Sequence, residues 1–344
     1  MIALYVTSLE GSAGKTAICT GLGKHLLNDG KKVGFFKPTV AGAKSPPAEA
    51  IDSDAAFIRN VFALEEPESY LCPVISGDKA LANRIKEAYT RISRDKDVVI
   101  IEGVRGQGPG GKPIEASHEI VEALDGRVII VEGYSKELPG GKLVSTCRDF
   151  GEYLLGVVLN KVPRSQLEYV RGEMLNRFGE TKLSILGVLP EDRVLSMLTV
   201  GELAGHIQGE IVNCTEKSVE LVENFMLGAM CVDPGPQYFS RKDNKAVIVR
   251  GERPDMQLAA LETSARCLVL AGNKAPIPTV ISRAEEQRIP IILARDDTSA
   301  IVSKIEDALG KTRFNQEKKL PKLMAIMEQY FDFQAVYKGL GLAS

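Results

Sequence analysis

Ile2-Ala3-Leu4-Tyr5-Val6-Thr7-Ser8-Leu9-Glu10-Gly11-Ser12-Ala13-Gly14-Lys15-Thr16 opens the chain and decides its fold. Ile2–Val6 is aliphatic without polar alternation, the mark of a strand buried on both faces. The loop that follows carries glycines and ends in Gly-Lys-Thr, and Ala17–Leu27 then has a helical pattern. Strand, glycine loop, Gly-Lys-Thr and helix form a phosphate cradle, because backbone N–H groups and the helix amino terminus face the anion. Gly11, Ser12, Ala13, Gly14, Lys15, Thr16 and Ala17 are therefore the candidate nucleotide-binding residues. Lys15 is placed to reach the β- and γ-phosphates. The Thr16 hydroxyl suits Mg²⁺, an ion that prefers oxygen ligands and retains waters. The strict pattern has glycine where this chain has Leu9, but Gly11 and Gly14 keep the backbone freedom that tight curvature needs.

Working outward, further aliphatic runs follow at Val33–Phe36, Val98–Ile101, Val128–Val131, Leu154–Leu159 and Leu183–Leu189, spaced by helix-length segments. Such spacing predicts an α/β fold with a doubly wound, mostly parallel sheet. Ligands in these sheets sit at the carboxyl ends of strands. Lys37 follows the second run and Glu102 the Val98–Ile101 run, while Asp52 and Asp54 lie between them. Two lysines, Lys15 and Lys37, with carboxylates around one point fit a triphosphate with Mg²⁺, since phosphoryl transfer depends on positioning and charge neutralisation.

A second, smaller α/β pattern restarts near Glu210, with the boundary placed in 205–212. Its expected elements are a helix at Ser218–Phe225, strands at Ala246–Val249, Cys267–Ala271 and Pro290–Ala294, and helices at Asp255–Ser264, Thr279–Gln287 and Ser299–Leu309. The expected domains are thus 1–208 and 209–309, followed by a tail over 310–344 with a helix at Lys322–Tyr330. Composition restricts the function classes. The chain has 344 residues, 44% hydrophobic and 26% charged, with a net charge of -2. That balance describes a globular core and lacks the basic excess needed to neutralise a nucleic-acid backbone. No apolar run approaches the roughly 18 residues of a membrane span, and the start has no charged, cleavable leader, so the expected location is cytoplasmic. Six separated cysteines and three histidines give no zinc spacing and no disulfide framework.

Val6-Thr7 with Gly14-Lys15-Thr16, Phe36-Lys37-Pro38 with Ala41-Gly42, Ser53-Asp54-Ala55 and Ile101-Glu102-Gly103 stand in an order that resembles the dethiobiotin synthetase branch of P-loop ATPases. The resemblance covers about the first 200 residues. It implies that Lys15 and Lys37 contact phosphates in catalysis, that Thr16, Asp54 and Glu102 arrange Mg²⁺, and that Asn160 reads the adenine of ATP. Asp52-Ser53-Asp54-Ala55-Ala56-Phe57, Cys72-Pro73-Val74 and Leu186-Gly187-Val188-Leu189-Pro190 resemble more closely the amino-terminal region of phosphotransacetylases. In those proteins a DRTGG domain follows, and Lys245-Ala246-Val247-Ile248 with Arg250-Gly251-Glu252-Arg253-Pro254-Asp255 resembles one here. The name-giving motif is altered, with Glu252 and Pro254 flanking Arg253. The acceptor-side stretches Leu9-Glu10-Gly11 and Val104-Arg105-Gly106 also depart from the dethiobiotin synthetase pattern. Only about 35 residues follow Leu309, too few for an acyltransferase core.

These readings imply an Mg-ATP-binding regulatory or sensory protein with an unknown small-molecule ligand, no acetyltransferase activity of its own, and a homodimer through the DRTGG-like domain. Two alternatives stand beside it: an ATP-dependent ligase acting on a carboxylate or carbamate, and a noncatalytic partner of a separate acyltransferase. The glycine-rich Gly106–Pro113 is a candidate lid and Arg105 a candidate charge stabiliser. Ser117 is expected to cap a helix, as is Asp297 or Thr298.

Overall fold

A computed structural model describes residues 1–41, 53–76, 81–103, 113–135, 141–179, 183–229, 235–310 and 312–342. Two compact units divide the chain, one made of Met1–Asp192 with Arg313–Ser344, the other of Arg193–Thr312.

The first unit is built on a six-stranded sheet in the order Val33–Phe36, Val98–Glu102, Ile2–Thr7, Arg127–Gly133, Leu154–Val162, Ile185–Pro190. Every neighbouring pair is parallel. The aliphatic runs lie where alternation predicted, and Val98–Glu102 is buried at all five residues. Ile2–Thr7 is flanked by two strands that both come later in the chain. At such a point crossovers leave toward opposite faces of the sheet and open a crevice at the carboxyl ends. The glycine-containing loop after Thr7 begins in that crevice.

Helix Lys15–Asn28 packs closely on its neighbours through its glycines. A Cβ on Gly21 would lie 2.0 Å from Met327 Sδ, and one on Gly23 2.0 Å from the Phe62 ring. Helices Leu320–Tyr330 and Ser53–Phe62 occupy that space. The tail is therefore part of the first unit. A further helix, Phe333–Leu340, follows, capped where Asp332 Oδ1 accepts from the Ala335 N–H at 2.9 Å. Ser117 lies inside helix Pro113–Leu124 instead of capping it, and its hydroxyl hydrogen-bonds the Tyr5 hydroxyl at 3.0 Å in the core.

The second unit has a five-stranded sheet in the order Glu210–Ile211, Ile291–Leu293, Ala265–Ala271, Lys245–Arg250, Asn224–Leu227. The last four strands are parallel and Glu210–Ile211 is antiparallel. Successive side chains feed opposite cores, as a strand's period of two requires. Ala246, Ile248, Cys267 and Val269 pack with Val200, Leu203, Ile207, Ile301 and Ile305 on one face. Val247, Val249, Leu268 and Leu270 pack with Met256, Ala260, Val280 and Ala284 on the other.

Two expectations are corrected. Helix Val200–Ile207 belongs to the second unit, because its apolar stripe closes this sheet's core. The expected helix at 218–225 is a 3₁₀ turn, Thr215–Val219, followed by the strands Leu221–Val222 and Asn224–Leu227. Pairing of Asn224–Leu227 with Lys245–Ile248 outweighs the local pattern.

Candidate functional site

The site grows from the end of Ile2–Thr7. Gly14 caps helix Lys15–Asn28 with φ 98°, and Ser12 two residues earlier is also left-handed at φ 61°. No side chain caps this helix, so its first N–H groups remain directed into the loop. Lys15 Nζ donates to Ser8 Oγ at 2.8 Å and curls back over the loop it closes.

Parallel register carries the other groups to the same edge. Glu102 is the register partner of Val6, and Lys37 follows Phe36, the partner of Ile101. The Thr16 hydroxyl donates to Glu102 Oε1 at 3.1 Å. Lys37 Nζ donates to Asp54 Oδ2 at 2.6 Å and lies 3.5 Å from Glu102 Oε1. Thr16, Glu102, Lys37 and Asp54 thus form one contact chain. Lys37 is 0% exposed, and Asp54 and Glu102 are each 1% exposed. Gly103 lets the strand end close, its N–H donating to Val6 O at 2.8 Å where a Cβ would lie 2.9 Å from the same oxygen. Cys19, one turn below Lys15, is fully buried, and that burial followed by the charge of Glu102 pushes its thiol well up.

Asn160 reaches the loop from Leu154–Val162, two strands over from Ile2–Thr7, its Nδ2 donating to Ala13 O at 2.9 Å. Lys161 Nζ donates to Ser12 O at 2.8 Å. Asn160 therefore meets the phosphate loop itself, together with a lysine the sequence reading did not single out. Glu132 was likewise passed over. Its half-buried carboxyl is raised by burial and then by Glu10, against a hydrogen bond from the Leu9 amide and the charge of Lys142. Asp52, Arg105 and Gly106–Lys112 lie outside the described residues.

In the second unit, a cleft of about 290 Å³ at the carboxyl edge of the sheet is lined by Arg250, Glu252, Lys274, Asp297, Thr298 and Ser299, among others. Asp297 caps the helix Thr298–Gly310, accepting from the Ala300 N–H at 2.8 Å. The altered motif holds itself together, with Arg253 donating from Nε and Nη2 to Asp255 and Gln257 Nε2 donating to Arg250 O and Gly251 O.

With this geometry in view, comparison with known proteins finds an AAA-domain family profile matching residues 3–198 and a DRTGG-domain profile matching 202–308. The chain belongs to this AAA-domain family. Its AAA domain carries the phosphate loop, and the DRTGG match coincides with the second sheet. The chain is 24% identical over 358 aligned residues to the phosphate acetyltransferase of Nitratidesulfovibrio vulgaris, an alignment covering 96% of this chain and 50% of that protein. It is 31% identical over 119 residues to the ATP-dependent dethiobiotin synthetase of Caldicellulosiruptor saccharolyticus, covering 31% of this chain and 49% of that protein. The chain therefore spans about half the length of the curated relatives it matches. Among solved structures, cobyrinic acid a,c-diamide synthase from Mycobacterium smegmatis with bound ADP and magnesium aligns at a TM-score of 0.35 and 16% identity, over 56% of this chain and 88% of that one. No helix among the described residues is long and apolar enough to cross a membrane.

Proposed function

We propose that the chain is an Mg-ATP-binding regulatory protein in which the AAA domain holds the nucleotide and the DRTGG unit takes a second small ligand in its cleft. One observation carries this reading: the contact chain Thr16–Glu102–Lys37–Asp54 beside Lys15, at the amino end of a helix in the sheet's crevice. The donor set suits magnesium. A hydroxyl and carboxylate oxygens are hard ligands, and Mg²⁺ is bound through one or two carboxylates plus substrate phosphates. Thr16 and Glu102 would hold it, with Asp54 bonded in through Lys37, and the ion would neutralise charge on the phosphates. Lys15 supplies a further cation to the same phosphates, and the loop's amides orient them. A ligand in the DRTGG cleft that alters ATP affinity must itself be bound more or less tightly by the same factor when ATP is present. Dimerisation through the DRTGG unit completes the proposal.

Equilibrium titration with ATP, with and without Mg²⁺, tests this in wild type and Thr16→Ala. Mg²⁺ is expected to strengthen ATP binding in wild type and to have lost that effect in the variant. Equal Mg²⁺ dependence in the two proteins would refute the assignment. A second reading, ATP-dependent activation of a carboxylate or carbamate, is favoured by the enclosure of Lys37 beside Glu102. It requires an acceptor metabolite that accelerates ADP formation, and a carboxylate screen that yields none would remove it.

A further inference from the structure

We infer that Asn160 and Lys161 are positioning residues that set the direction of the phosphate-binding amides by holding the loop's outward carbonyls; this rests on the nucleotide-binding reading above. A trans peptide is planar, so its N–H points opposite its C=O. The described residues contain no cis peptide bond. Lys161 Nζ on Ser12 O therefore turns the Ala13 N–H away from Lys161, and Asn160 Nδ2 on Ala13 O turns the Gly14 N–H away from Asn160. Both amides are directed to the side of the loop where an anion is cradled.

The strand is shaped for this double contact. Consecutive residues of a regular strand point to opposite faces, so Asn160 and Lys161 would not both reach one loop. The pairing of Leu154–Val162 with Ile185–Pro190 shifts register between Leu159 and Val162, and Lys161 is left-handed at φ 62°. A bulge of this kind re-aims side chains and is common beside active sites. The distorted stretch is pinned from the other side by the Tyr134 N–H, which donates to Asn160 O at 2.8 Å. Gly14 fits the same arrangement, since a Cβ there would lie 2.2 Å from Asn160 Nδ2. The glycine therefore answers both to its φ of 98° and to the amide that occupies its side-chain space.

Reading adenine and positioning the loop make different predictions for a ligand without a base. The experiment titrates the full chain with Mg-ATP and with Mg-tripolyphosphate, comparing wild type, Asn160→Ala, Lys161→Met, Lys161→Arg and Lys15→Ala, and follows amide hydrogen exchange of residues 11–16 in the nucleotide-free proteins. Asn160→Ala and Lys161→Met are expected to weaken both ligands by a common factor of about ten, the scale of one hydrogen bond. Their loop amides exchange faster, and Lys161→Arg restores both properties. A loss confined to ATP in Asn160→Ala would overturn the inference in favour of base reading. Wild-type affinity and exchange in both variants would overturn it outright. If wild type and Lys15→Ala bind neither ligand, the nucleotide reading fails, and the exchange data alone then decide whether the two side chains set the loop.

Discussion

Lys37 Nζ lies 2.6 Å from Asp54 Oδ2 and 3.5 Å from Glu102 Oε1, with all three side chains closed to solvent. One ammonium thereby compensates two carboxylates at the end of the sheet. Breaking a buried ion pair by removing one partner costs about 3–5 kcal/mol. Lys37→Met is predicted to destabilise the fold by about that amount in urea unfolding. Adding Asp54→Leu should recover part of the loss, because one of the two buried carboxylates is gone. A single Lys37→Met variant as stable as wild type would show that the cluster is held by other means.

The contact between helix Lys15–Asn28 and helix Ser53–Phe62 gives a second prediction. Glycine within a helix normally costs roughly 0.5–1 kcal/mol relative to alanine, so Gly→Ala is usually stabilising. At Gly23 the added methyl would meet the Phe62 ring at 2.0 Å. A ring cannot swing away as a flexible chain end can, and overpacking costs about 1–3 kcal/mol. Gly23→Ala is therefore expected to lower the thermal midpoint, whereas Gly23→Ala with Phe62→Leu should regain some of it. A higher midpoint for the single variant would contradict the packing.

Glu132 supplies a pH dependence. Burial followed by the neighbouring Glu10 raises its carboxyl above the ordinary 4.5. A folded value above the unfolded one means the native state binds the proton more tightly. The stability this contributes is fully present below 4.5 and is lost as pH rises through the folded value. Glu132→Gln keeps an acceptor for the Leu9 amide and does not titrate. Its stability relative to wild type should therefore increase as pH rises from 4.5 toward neutrality, measured by urea midpoints. A difference independent of pH would show that Glu132 titrates as it does in the unfolded chain.

Much of this architecture was legible in the sequence because the strands of the first unit are buried on both faces. Val98–Glu102 and Ile2–Thr7 are aliphatic runs that only a covered parallel sheet accommodates. Gly14-Lys15-Thr16, Lys37 and Glu102 were visible as types at strand ends that register brings together, while Asp54 comes from the first turn of helix Ser53–Phe62. What failed to show depends on partners distant in sequence. Val219, Leu221, Val222 and Phe225 are spaced as well for a helix as for two short strands, and the pairing with Lys245–Ile248 decides between them. Helix Val200–Ile207 carries no local sign of which sheet its stripe will cover. The double reach of Asn160 and Lys161 arises from a register shift against Ile185–Pro190, which no local pattern encodes. Phe333–Leu340 did have local signals, the Asp332 cap and the left-handed stop at Gly341 with φ 65°.

The most direct test of the account is calorimetric titration of the intact chain with Mg-ATP beside Lys15→Ala. Lys15 is bonded to Ser8 within the loop and is the cation proposed to meet the phosphates, and its replacement is expected to leave the sheet and its buried cluster in place. The account predicts saturable binding by wild type and its loss in Lys15→Ala, with both proteins unfolding at similar urea concentrations. Absence of binding by wild type, or equal binding by the two proteins, would contradict it.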